Sequence, residues 1–150
     1  MALRKVKAKP ASSRPKPAVQ LRESLEDKTK RARKIVADLK KVYPDATCTL
    51  HHQNALQLLV ATILSAQSTD ETVNKVTPVL FAKYPTPEAL AGADPGDVEK
   101  IIYPTGFFRQ KTKSIIGMAK AVSARPECVV PDTMAELIEL PGVARKTANV

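Results

Sequence analysis

At 150 residues and 43% apolar side chains, the chain is long enough to bury the core of one ordinary domain. No apolar run approaches the ~18 residues that a bilayer-spanning helix needs, and no apolar stretch follows the basic N-terminus as it would in a secretory signal. The net charge of +9 is unevenly placed: seven bases and no acid fall in residues 1–22, leaving 17 bases against 15 acids in the remainder.

Residues 1–22 are rich in Lys, Pro, Ala and Ser and poor in large apolar side chains, too poor to offset the entropy of ordering. They read as a disordered basic tail, either an arm on phosphates or a solubilising tail or targeting remnant. The rest reads as helix. Ile35, Val36, Leu39 and Val42 recur at helical spacing, and Tyr43-Pro44 closes that segment. Asn54 is placed to cap a second helix through about Ser65, whose Leu56, Leu58, Leu59, Val60, Ile63 and Leu64 cover most of its circumference. Such a helix belongs in the centre of a bundle. Ser68 to Glu71 has capping-box spacing for a third helix bearing Val73, Val76 and Leu80, with Pro78 expected to kink it or end it early. Thr86-Pro87 and Asp94-Pro95 each pair a cap residue with Pro at the first helical position, announcing two short helices. A further helix spans about Phe108 to Ser123. Asp132 or Thr133 caps a short one ending at Glu139, and a last one starts near Ala144. The fold class is all-α, with no strand pattern competing.

Between the last two helices lies Leu140-Pro141-Gly142-Val143-Ala144. Pro141 stops the first helix, Gly142 permits a positive φ, and Val143 can fold back into the core. The following helix should then start with unpaired N–H groups beside Arg145, an anion site that fits a DNA phosphate without regard to base sequence. A plain helical corner would also use Pro-Gly. Cys48 and Cys128 have no Cys-x-x-Cys spacing and read as two reduced thiols. His51 and His52 read as surface or capping residues, and Asp70 and Glu71 as capping the third helix. Arg109, Lys111 and Lys113 are either phosphate contacts or a solvated helix face.

Leu140-Pro-Gly-Val-x-Arg-Lys-Thr-Ala-Asn-Val150 resembles the helix–hairpin–helix of the endonuclease III family. Leu64-Ser-Ala-Gln-Ser-Thr-Asp70 with Val73-Asn-Lys75 resembles its early signature, and Thr105-Gly-Phe-Phe-Arg-Gln-Lys111 its central loop. The three motifs stand in the family's order from about residue 30 to the end of the sequence. The resemblance implies a helix–hairpin–helix glycosylase fold in which 23–45 is a helix of the cluster-side domain. Residues 46–150 would form a helical barrel ending in the hairpin, incomplete as given. It implies a base-excision DNA glycosylase with AP lyase activity, Lys146 being the nucleophile that forms a Schiff base at C1′ of a damaged nucleotide. The positive helix end and Arg145 favour the neutral amine that such an attack needs, and partial burial would add to this. Lysine here, with Ser65-Ala-Gln67, favours oxidised pyrimidines such as thymine glycol as substrates.

The same resemblance implies that Gln67 fills the gap left by a flipped nucleotide and that Phe107 is an apolar wedge. Two adjacent aromatics leave open which of them points outward. Thr105, Gly106, Leu140, Gly142, Val143, Ala144 and Arg145 complete the expected DNA contacts. The family usually has a second Gly at the place of Ala144, so position 144 should already be helical, or the hairpin is slightly strained. The resemblance also implies a catalytic aspartate about eighteen residues beyond Lys146 and a [4Fe-4S] cluster. The cluster's cysteine ligands are absent from residues 1–150, so no metal site is expected within them. The expected partner is double-stranded DNA with a damaged base or abasic site, met by a monomer in the cytoplasm at the nucleoid. A non-catalytic helix–hairpin–helix module, a glycosylase of different base specificity and a helical adaptor are the alternatives.

Overall fold

Eight α-helices and one 3-10 turn make up residues 23–150, the part described in this computed structural model, with no strand among them. The all-α expectation holds, and the tail at 1–22 lies outside the described residues. The described residues divide into two compact units on either side of Ala46 and Thr47. No helix among the described residues is long and apolar enough to cross a membrane.

In the first unit, α1 (Leu25–Val42) starts at Ser24, whose hydroxyl accepts from the Asp27 N–H at 3.1 Å. It stops at Tyr43 ahead of Pro44, where the sequence places the stop. Arg31 grips Glu23 through two bonds of 3.0 and 2.6 Å. Leu25, Ile35, Val36, Leu39 and Val42 are all exposed.

The second unit is built around α2 (Ala55–Ser65). Asn54 Oδ1 accepts from the Gln57 N–H at 2.9 Å and fixes its start. Leu56, Leu59, Val60, Ile63 and Leu64 are buried and Leu58 half-buried, so the all-round apolar pattern does mark a central helix. Each such side chain contributes roughly 1.5–3 kcal/mol through burial. Next come α3 (Asp70–Lys83), α4 (Pro87–Ala91), α5 (Pro95–Ile102) and α6 (Phe108–Ser123). Thr86 and Asp94 cap α4 and α5 as expected, accepting from Ala89 N–H at 3.2 Å and Asp97 N–H at 2.9 Å. Helix α6 packs against α2, α4 and α5, burying Ile115, Ile116, Met118, Ala119 and Val122. Two short helices, α7 (Met134–Leu137) and α8 (Arg145–Ala148), follow and pack on each other.

Three local readings change. Thr69, not Ser68, caps α3, accepting from the Thr72 N–H at 3.3 Å. Asp70 instead takes a hydrogen bond from the Thr49 hydroxyl, while Glu71 pairs with Lys75 at 2.6 Å. Pro78 does not end α3, which runs on to Lys83. Its exposed ring lies between buried Thr77 and Leu80, so packing on both sides of it outweighs the lost hydrogen bond. Thr133 caps α7, whose helical part ends at Leu137, with Glu139 already in a turn.

Candidate nucleic-acid interface

Three segments distant in sequence meet at one cleft of about 260 Å³. Its walls are Ile63, Ala66 and Gln67 at the end of α2, then Phe107, Gln110, Lys111 and Ser114 around the start of α6, then Gly142. Gln67, Phe107 and Gly142 were each expected at the interface, and the fold brings them together.

Gln67 follows the last turn of α2 with a left-handed φ of 55°. It is exposed, and its side-chain amide has no hydrogen-bond partner among the described residues. The opposite rim begins with a 3-10 turn, Tyr103–Thr105. Gly106 then takes φ 68° and ψ 162°, a region essentially reserved for glycine. Phe107 follows at φ 47° and ψ 29°, so two left-handed residues in succession turn the chain into α6. Phe107 is 69% exposed, whereas Phe108 packs inward with its ring 4.9 Å from that of Tyr103. The question of which aromatic faces out is thereby answered in favour of Phe107.

Beneath this loop, Lys111 is buried, and its Nζ donates to the Thr105 carbonyl at 2.7 Å. Burial pushes its ammonium below the ordinary lysine range. Thr105 is also buried, its hydroxyl donating to the Ile102 carbonyl at 2.8 Å. Thr105 therefore shapes the loop from inside and does not present its side chain to a ligand.

In the hairpin, Leu140 and Val143 are buried, and the Val143 N–H closes the turn on the Leu140 carbonyl at 3.0 Å. Their contribution is to lock the turn; neither side chain faces out. Gly142 has φ 79°, and a Cβ there would sit 2.5 Å from Ser114 Cβ. One turn further along α6, a Cβ on Gly117 lies 3.2 Å from Pro141 Cβ. The hairpin is thus seated on α6 at two points. Ala144 is extended, φ −96° and ψ 169°, and precedes α8 as its cap residue. It is not the first helical residue, as the sequence suggested, yet it escapes strain because the turn needs a left-handed residue only at 142. The N–H groups of Ala144, Arg145, Lys146 and Thr147 have no partner among the described residues. Arg145 and Lys146 are exposed. Lys146 follows Gly142 by four residues but does not line the cleft.

Sequence reasoning missed Ser114, Gly117 and the buried role of Lys111. Gly117 carried a signal, since glycine inside an exposed helix costs about 1 kcal/mol and invites a packing reason.

The family model for the HhH-GPD superfamily base excision DNA repair protein matches residues 60–142, the span that holds both rims of the cleft and the hairpin turn. The chain belongs to the HhH-GPD superfamily of base excision DNA repair proteins. Within that superfamily its likeness is to endonuclease III. It is 54% identical over 130 residues to Endonuclease III of Synechocystis sp., covering 87% of this chain and 59% of that protein. Among solved structures, a non-covalent Endonuclease III–DNA complex matches with a TM-score of 0.72 and 40% identity, over 81% of this chain and 56% of that one. A trapped Endonuclease III–DNA covalent intermediate matches with a TM-score of 0.71, also at 40% identity, over 80% and 56%. The chain thus spans somewhat more than half the length of these relatives.

A [4Fe-4S] cluster, which the likeness to endonuclease III implies, does not fit the cysteines of these 150 residues. Four thiolates are needed; the chain has Cys48, exposed, and Cys128, partly buried. Among the described residues no group of three His, Cys, Asp or Glu could hold a metal.

Phe107→Gly should separate stability from function. The left-handed backbone costs a non-glycine residue about 1–2 kcal/mol, and little burial is lost from a ring so exposed. The melting temperature should rise by a few degrees. In the wedge role that the resemblance implies for Phe107, fluorescence of a 2-aminopurine beside a lesion should at the same time report less unstacking. A variant that opens the helix as well as the parent does would show that Phe107 is no wedge.

Proposed function

We propose that this chain is part of a base-excision DNA glycosylase with AP lyase activity, acting on oxidised pyrimidines in duplex DNA. The observation that carries the reading is the meeting of Gln67, Phe107 and Gly142 at one cleft, with Lys146 four residues past the hairpin glycine.

In this reading the unpaired N–H groups at Ala144 to Thr147 take a phosphate of the damaged strand, with Arg145 adding charge. Gln67, whose amide is both donor and acceptor, occupies the space of the extruded nucleotide and pairs with the estranged base. Phe107 enters the stack beside it and kinks the duplex. The Lys111 ammonium, tied to the Thr105 carbonyl, holds the strained Gly106-Phe107 turn in place. The neutral amine of Lys146 then attacks C1′, and the C1′–N bond breaks as the base leaves with the electron pair and a proton. Opening of the sugar gives the protonated Schiff base. Loss of a C2′ proton next expels the 3′ phosphate and cuts the strand. The protein would act as a monomer, on cytoplasmic DNA.

Borohydride reduction with the full-length protein and a thymine glycol duplex tests the proposal. A covalent adduct migrating as protein plus DNA strand is expected, because borohydride reduces the protein–DNA Schiff base to a secondary amine that water cannot reverse. Binding without an adduct would favour a non-catalytic module instead. The absence of both would sink the assignment.

A further inference from the structure

Charge in the second unit is balanced in number but not in place. Residues 47–150 contain ten Lys or Arg and ten Asp or Glu. Four of those bases lie in ion pairs: Lys75 with Glu71 at 2.6 Å, Lys83 and Lys100 sharing Asp97 at 2.8 and 3.7 Å, and Arg125 with Glu136 at 2.6 Å. The other six are Arg109, Lys111, Lys113 and Lys120 on α6, and Arg145 and Lys146 on α8. None of the six has an ion-pair partner among the described residues. Lys111 is buried on a carbonyl; the other five are exposed.

These two elements are not independent. The hairpin that leads into α8 rests on α6 at Ser114 and Gly117. Arg109, Lys113 and Lys120 line a groove of about 400 Å³ that also includes Gly117, the point where Pro141 is seated. Pro95 and Glu99 of α5 form its other side, and Glu99 is the one acid lining it. Thr112 also lines it, with a buried hydroxyl that has no hydrogen-bond partner among the described residues. Arg109 is held over the Phe108 ring, its guanidinium carbon 5.6 Å from the ring centroid, which orders it without spending its charge on a carboxylate.

We propose that the α6 groove is a second phosphate-binding track, in which Arg109, Lys113 and Lys120 carry the DNA backbone onward from the hairpin. It rests on the reading of the cleft as a DNA site and extends that site's footprint. The eleven helical steps from Arg109 to Lys120 rise about 16 Å along the helix axis, roughly five nucleotide steps of one strand at ~3.4 Å each. Three separated cations over that length suit a backbone and not a single small anion. The track is indifferent to base identity, because it offers charge and no edge-reading amide.

The test measures affinity of the full-length protein for an undamaged duplex by fluorescence anisotropy across a salt series. In the variant R109Q/K113Q/K120Q, the slope of log affinity against log salt should flatten by about 2–3, near one per phosphate released. The charge-reversed K113E/K120E should bind more weakly still at low salt. A control, K75Q/K83Q/K100Q, removes equal charge from the paired bases and should leave the slope as in the wild type. All α6 substitutions are at exposed side chains, and equal melting curves by circular dichroism establish that they fold. A triple variant with the wild-type slope overturns the track, and so does a control variant with the same loss. A wild-type protein without salt-dependent duplex binding would instead overturn the underlying DNA reading, so the two failures are distinguishable.

Discussion

Lys146→Gln is expected to abolish the borohydride-trapped adduct entirely and to reduce base removal by about 10³-fold or more, as loss of a covalent nucleophile does. Glutamine keeps much of the length and polarity of lysine, but its amide nitrogen has no available lone pair and cannot form a Schiff base. Duplex binding should persist. The unpaired N–H groups at Ala144 to Thr147 belong to the backbone, and Arg145 remains. Removing one cation should change the salt slope by no more than about one. Lys146→Arg makes the complementary control, retaining charge while losing nucleophilicity. If either variant still gave a trapped adduct, the nucleophile would have to be another amine.

Gly142→Ala should cost about 3 kcal/mol of stability. A left-handed φ of 79° accounts for part of this, about 1–2 kcal/mol. The remainder is overpacking, since the new carbon would lie 2.5 Å from Ser114 Cβ, a clash in the range of about 1–3 kcal/mol. For a unit of this size the melting temperature should fall by roughly 10–20 °C. Ser114→Gly in the same chain removes both clashing atoms and should recover the steric part, a coupling that a double-mutant cycle measures. Gly106→Ala is the reference: its φ of 68° is also positive, but no atom lies within 4 Å of the added carbon. It should show no coupling to Ser114→Gly. A Gly142→Ala protein that melts with the wild type would refute the seating of the hairpin on α6.

The sequence made legible those features whose causes are local. Asn54, Thr86-Pro87 and Asp94-Pro95 were readable as helix starts because a cap bonds within three residues of itself. The bounds Phe108 and Ser123 likewise followed from a turn on one side and an apolar period on the other. Where two cap residues stand side by side, as Ser68 and Thr69 do, local chemistry cannot choose between them, and packing of Val73 and Val76 set the phase. The cleft residues Gln67, Phe107 and Gly142 were legible only through the resemblance of three motifs, not through chemistry of their own. Their backbone was not legible at all, because nothing in a glutamine or a phenylalanine announces a left-handed φ. Ser114 was invisible for a different reason, and Gly117 signalled a packing contact without naming its partner. Their importance lies in a contact with residues 141 and 142, more than twenty positions away. Ala144 shows the same limit: whether it needed to be left-handed depended on where Gly142 placed the turn.

Helix α6 carries the outward ring of Phe107 at its start and the seats of the hairpin at Ser114 and Gly117. It therefore acts as a ruler, with about 10 Å of helical rise separating the loop from the first seat. Both attachments are also phased, since one residue added between them would rotate the second by about 100° away from the hairpin. The distance and the angle between the two grips are consequently a single inherited quantity, set by the pitch of one helix. A residue gained or lost between these points would therefore disturb the reach and the orientation of the hairpin at once.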